Sequence, residues 1–228
     1  MAAVVMLFLT LGAAAPAQAT KLEVLDWTLG YQVTYSLYGG KSATTYAAEM
    51  DVRLDNFQDV LAYCVDLRQG IDLNTSYHVS LEEPLTHNIS TLQAAWLLGH
   101  YAPGLDLAPS GYSLATAITA LQVAIWEVIY DHADTDLSSG AFVLQNVLSS
   151  ESDSVRELAN LYLQSLPTDI TSTGLAYAMV SRDKKHQDLV LGASPIPSAA
   201  TPEPGSLLLT GSALAMGWSA RRWRRRRS

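Results

Sequence analysis

One cysteine, Cys64, stands in the 228 residues. No disulfide can therefore close within the chain, and Cys64 is left as an inert buried thiol, an intermolecular link or a reactive group. Basic residues are also scarce outside the C-terminus. Residues 20–201 hold 8 Lys and Arg against 21 Asp and Glu, a net of −13. Such a field disfavours nucleic acid and anionic lipid and draws basic partners, or their lysine amines, toward the surface. The sequence has no Gly-rich phosphate loop, no metal-ligand cluster and no solenoid-type repeat, so neither a cofactor nor a metal is expected. What is present is apolar: 49% of the chain is hydrophobic, enough for the core of one ordinary domain with processing segments at its ends.

Both ends carry such segments. Val4, Val5, Met6, Leu7, Phe8, Leu9 and Leu11 lead into Ala17-Gln18-Ala19, a small-residue pattern suited to a signal peptidase, so residues 1–19 read as a secretory signal. No basic residue precedes the apolar stretch, a departure from the usual signal. A buried N-terminal helix would need no cleavage pattern. At the other end Pro202-Glu203-Pro204 precedes an apolar stretch over 206–220 and then Arg221, Arg222, Arg224, Arg225, Arg226 and Arg227. The stretch is shorter than the ~20 residues that comfortably span a bilayer, and the arginines would be held at the cytoplasmic face. In that order, residues 202–228 resemble the PEP-CTERM sorting signal of Gram-negative bacteria. The resemblance implies recognition by an exosortase, transient anchoring in the inner membrane, cleavage near Pro-Glu-Pro, and release to or attachment at the cell surface. An ordinary membrane anchor and a basic nucleic-acid tail are the plainer readings, the latter opposed by the apolar stretch before the arginines.

Between the ends, Leu22 to Tyr38 alternates loosely and stops at Gly39-Gly40, as a strand before a turn does. Thr44 to Leu54 and Phe57 to Leu67 extend the β pattern and place Cys64 in or at the end of a strand. The period then changes. Leu92, Ala95, Trp96 and Gly99 share a helical face that ends near Tyr101, and Leu114, Ile118, Leu121, Ile125 and Val128 mark a longer helix from Ser113 to about His132. Phe142 to Val147 and Val155 to Leu166 read as further short helices, and Leu175 to Val180 and Leu189 to Leu191 as strands. Strands, then helices, then strands predict an α+β domain over 20–193, a β-sandwich or barrel with a helical insertion. A Pro/Ser/Ala linker over 194–201 joins it to the tail.

Cys64 lies in Tyr63-Cys64-Val65-Asp66, and the long helix carries Gln122-Val123-Ala124-Ile125-Trp126. Gln122 borders the apolar stripe, where an unpaired carboxamide would cost roughly 1–3 kcal/mol. A covalent account removes that cost: the Cys64 thiolate attacks the glutamine carbonyl, ammonia leaves, and a thioester remains. Tyr63, Trp126 and Trp96 are the bulky residues available to keep water from it. An incoming amine would expel the sulfur and leave an amide bond to the target. These two segments resemble the thioester (TQXA) domains of bacterial surface adhesins. The resemblance implies that Cys64 and Gln122 are the bonded pair, with Trp126 packed around them, in a thioester-domain fold that reacts once and is not an enzyme. Leu121 stands where that family often has Thr. The plain alternative is a buried thiol beside a satisfied helix residue.

A cysteine hydrolase would need a histidine beside Cys64, and His100 and His132 are the available choices. Asp131-His132-Ala133-Asp134-Thr135-Asp136 alternates oxygen ligands but lacks the Gly and Glu of a calcium loop. Asn74-Thr75-Ser76 and Asn88-Ile89-Ser90 match a glycosylation pattern by chance. The expected function is covalent adhesion of an exported surface protein to an amine-bearing protein or polymer, the exopolysaccharide matrix included. A structural biofilm protein without a thioester is the alternative.

Overall fold

The structure is a computed structural model that describes residues 20–55, 59–82, 88–102, 108–132, 135–170, 177–181 and 186–192. The chain divides into two compact units, Met1–Ser194 and Pro195–Ser228. The second lies wholly outside the described residues, and with it the Pro-Glu-Pro motif and the arginine cluster. The signal segment 1–19 lies outside them too.

The apolar alternation after residue 20 becomes β1 (Thr20–Leu37), followed by β2 (Ala43–Leu54), β3 (Asp59–Cys64) and β4 (Ser76–Glu82). Helices α1 (Ile89–Tyr101) and α2 (Leu114–Asp131), strand β5 (Phe142–Val147) and helix α3 (Ser152–Gln164) come next, and β6 (Tyr177–Ser181) and β7 (Leu189–Leu191) close the order. All strand pairings are antiparallel, in the order β2-β3-β7-β6-β4-β1-β5, and β2 also pairs with β1. That last pairing closes six strands into a barrel with β5 attached to its outside. The expected α+β class and helical insertion are therefore both present, and of sandwich and barrel the chain forms the barrel.

Strand β1 is long enough to serve three partners. It runs against β2 from Leu22↔Leu54 to Tyr35↔Ala43, against β4 at its start and against β5 at its end. Leu22, Val24, Met50, Val52, Leu54, Ala62, Leu189 and Leu191 are buried and stand apart from the cluster around the helices. Their neighbours Tyr63 and Val190 belong to that cluster. This alternation lines the barrel with one set and turns the other toward the helices.

Helix α2 is buried without interruption from Thr116 to Val128, as expected of a helix apolar on every side. It is long and apolar enough to cross a membrane, yet it packs among α1, α3, β1 and β2 as a core helix. Ser113 caps its first turn by accepting from the Thr116 N–H at 3.1 Å, and Asn88 does the same for α1 with Thr91 at 2.9 Å. Gly30 lets α2 reach the barrel: a Cβ there would stand 2.4 Å from Thr119 Oγ1. That same Oγ1 accepts the Tyr31 N–H at 2.7 Å.

Two sequence expectations change. Phe142 to Val147 is a strand, because its buried Phe142 and Leu144 alternate and its backbone pairs with β1 from Leu37↔Phe142 to Val33↔Val147. Strand β4, within a stretch that showed no clear period, is held between β1 and β6.

Candidate functional site

Cys64 is the last residue of β3 and pairs with Leu189 of β7. Beyond it the two chains stay together: the Val65 N–H donates to Asp188 O at 3.1 Å, and the Gln187 N–H donates to Gly70 O at 3.2 Å. The segment entering β7 is thereby laid alongside the loop that leaves β3, and Gln187 comes to rest beside Cys64.

Two glutamines meet the cysteine in different ways. Gln122, fully buried on α2, engages its main chain: the Cys64 N–H donates to Gln122 Oε1 at 3.2 Å, and Gln122 Nε2 donates to Cys64 O at 2.8 Å. One carboxamide thus does what a neighbouring strand would do at the end of β3, and the polar cost of its burial is met. The side chain of Cys64 faces the other glutamine, its Sγ–H donating to Gln187 Oε1 at 2.7 Å. A carbonyl bond is about 1.23 Å long, so the electrophilic Cδ of Gln187 lies within about 4 Å of the sulfur. Gln187 Nε2 donates in turn to Asp66 O, and the side chain is 6% exposed.

The structure therefore brings both sequence-named residues together but does not direct the sulfur at Gln122. It directs it at Gln187, which no sequence feature singled out. Gln187 sits 123 positions from Cys64, directly before a three-residue apolar strand, and the one available signal was a polar residue at the mouth of a buried strand. Of the expected surroundings, Trp126 lines the cleft above Cys64. Tyr63 is fully buried and donates to Glu49 Oε2 at 2.8 Å. Trp96 stays on α1, stacked on His100 at 3.9 Å, and is not among the cleft residues.

Electrostatics keep the thiol protonated. Burial, reinforced by the Asp66 carboxylate, pushes the Cys64 thiol well above its ordinary range. A hydrolase nucleophile needs the opposite shift. His100 bonds Trp96 O at 2.8 Å and His132 meets Ser90 Oγ, so neither of the candidate bases is a partner of Cys64. The Asp131 carboxylate accepts the N–H groups of Ala141 and Phe142, at 2.5 and 2.6 Å, and so anchors the start of β5.

The loop 65–67 is clamped independently. Tyr130 Oη accepts the Leu67 N–H at 2.9 Å and donates to Asp66 Oδ1 at 3.3 Å. Tyr35 donates to Leu67 O at 3.4 Å. These bonds fix Asp66, whose carbonyl holds the amide nitrogen of Gln187.

Residues 61–164 match the family model of the thioester domain. No curated protein sequence matches the chain. Among solved structures, the N-terminal domain of the Streptococcus pyogenes pilus tip adhesin Cpa is 18% identical, with 78% of this chain and 97% of that one covered at a TM-score of 0.41. The N-terminal thioester domain of the fibronectin-binding protein SfbI from Streptococcus pyogenes is 17% identical, with 72% and 91% covered at 0.39. The thioester domain of a Clostridium perfringens surface protein is 11% identical, with 75% and 97% covered at 0.41. Likeness at these scores carries no functional argument.

Proposed function

We propose that this chain is an exported surface module that attaches covalently to amines through a thioester between Cys64 and Gln187. The observation that carries the reading is the thiol set against the Gln187 carboxamide at 2.7 Å, in a site closed to bulk water. The family match over 61–164 supports the same chemistry. In the forming step Sγ bonds to Cδ of Gln187, the Cδ–N bond breaks, and the thiol proton leaves with the nitrogen as ammonia. In the capture step an amine nitrogen bonds to Cδ, the Cδ–Sγ bond breaks, and the amine proton passes to Sγ. The product is an amide at residue 187 and a free thiol at Cys64, so each molecule reacts once.

Gln122 is a positioning residue in this scheme, holding the Cys64 main chain while its side chain reacts. Asp66 O orients the departing nitrogen. The export route, and a final place on a Gram-negative surface or in its matrix, rest on the sequences at 1–19 and 202–228. Signal peptidase and exosortase are the implied processing partners.

Methylamine tests the assignment. Capture would convert the acylating glutamine to its N-methyl form, heavier by about 14 Da, and fragmentation of the digested chain locates that mass. Trypsin separates the candidates, because Arg156 and Arg182 lie between Gln122 and Gln187. The mass is expected on residue 187; finding it on residue 122 would restore the pairing expected from sequence and overturn this one.

A further inference from the structure

A cleft of about 310 Å³ opens onto Cys64 and Gln187, near the lower end of the ~300–1,000 Å³ typical of ligand pockets. Trp27 and Leu29 of β1, Met50 of β2 and Leu67 of the following loop give it apolar walls. Among the described residues that line it, none has a charged side chain. Two lining residues carry unspent hydrogen-bonding capacity. The Trp126 indole N–H is buried without a partner, in a side chain 1% exposed, and Gln69 Oε1 is a buried acceptor without a donor. Buried polar atoms normally find partners, so an orphan donor and an orphan acceptor in one cleft beside a reactive pair point to a ligand that completes them.

We propose that this cleft is a subsite for a primary amine carried on an uncharged, apolar stem. Gln69 Oε1 accepts a hydrogen bond from the incoming amine, and the Trp126 N–H donates to an oxygen acceptor borne next to it on the target. The proposal rests on the thioester reading and specifies its substrate. An ammonium ion has no free electron pair and is costly to bury without a carboxylate, so the nucleophile enters uncharged. A hydroxyl would need a base to activate it, and the described lining offers none. A neutral acceptor such as Gln69 suits an amine, whose nitrogen gains positive charge as it attacks. A second cationic group on the same stem would find only Trp27, Leu29, Met50 and Leu67 for company. The acidic surface of the domain brings cations near; the cleft takes those whose reacting amine is flanked by apolar matter.

The experiment uses the full-length chain in mild detergent, beginning with its intact mass. A deficit of about 17 Da against the sequence establishes the thioester. Capture rates are then compared for hexylamine and spermidine at equal concentrations of unprotonated amine. Hexylamine is expected to react faster by about tenfold or more, and Gln69→Leu to slow it by about tenfold while leaving the mass deficit intact. Equal rates for the two amines, or an unchanged rate in Gln69→Leu, would overturn the subsite. Cys64→Ala supplies an arm without covalent chemistry: hexylamine should shift the Trp126 indole N–H resonance saturably. A missing shift overturns the subsite whatever the mass shows, and a missing deficit with a shift present removes the thioester alone.

Discussion

At Cys64 the same burial that pushes the thiol up also makes its sulfur a reluctant leaving group, since thiols of high pKa depart slowly. A thioester at this position is thus built to wait until a well-placed amine arrives. The free thiol should be correspondingly unreactive. In a Gln187→Ala variant, iodoacetamide at pH 8 is expected to alkylate Cys64 at least about tenfold more slowly than in the urea-unfolded chain. Equal rates would mean that the site does not shield the sulfur. Glu49 makes a second residue-scale prediction. Its side chain is 2% exposed, Oε2 accepts from Tyr63 and Oε1 has no partner. Burial raises its carboxyl above the ordinary range, with Asp51 adding to the rise and the Tyr63 bond opposing it. Because the folded pKa lies above the unfolded one, the protonation-linked stability is full below the unfolded value and is lost as pH climbs through the folded one. Glu49→Gln keeps an acceptor for Tyr63 and removes the charge. Urea titrations should show the variant more stable than wild type by about 1 kcal/mol at pH 7 and indistinguishable near pH 3.5. A variant that is less stable at pH 7 would contradict this.

Among the elements, the contact between β1 and α2 sets the site, because it fixes how far Gln122 reaches toward β3. Thr119 stands one turn before Gln122 and fills the space that Gly30 leaves open. Gly30→Ala would force α2 off β1 and is expected to cost about 1–3 kcal/mol in urea unfolding. Adding Thr119→Ala should recover part of that loss, so the double variant is less destabilised than the two single effects summed. Strict additivity would show that the two positions do not touch. The helices were legible from sequence because their signals are local: Leu114, Ile118, Leu121, Ile125 and Val128 repeat with the helical period, and Asn88 and Ser113 sit where caps belong. Phe142–Val147 was not, since six apolar-rich residues suit either period until a partner strand chooses, and the chooser is the far end of β1. Gln187 was hidden for the same reason. Its nearness to Cys64 depends on β7 pairing with β3 across most of the domain, and nothing in Gln187-Asp188-Leu189 announces that partner. The Gln122 helix motif was readable and does meet Cys64, through the backbone rather than the sulfur.

At the scale of the molecule, a closed barrel and a wholly buried helix grip one cysteine from two sides. The barrel supplies the sulfur and Gln187 on adjacent strands, and α2 fixes the backbone between them. Such a site forms only when the whole domain is folded, because the three parts come from β3, α2 and the entry to β7. Thioester formation is thereby a report on the native fold, and the chain unfolded in urea should neither form the bond nor keep it against hydrolysis. The net of −13 over residues 20–201 suits a module that must collect amines from solution, since long-range attraction raises their local concentration before the uncharged cleft selects among them. The pairing of Cys64 with Gln187 is tested most directly by intact mass, measured on chain purified near neutral pH without amines, for wild type and for Gln187→Ala. Wild type is expected about 17 Da below its sequence value and Gln187→Ala at its own sequence value; a deficit that persists in Gln187→Ala, or none in a folded wild-type chain, would contradict the account.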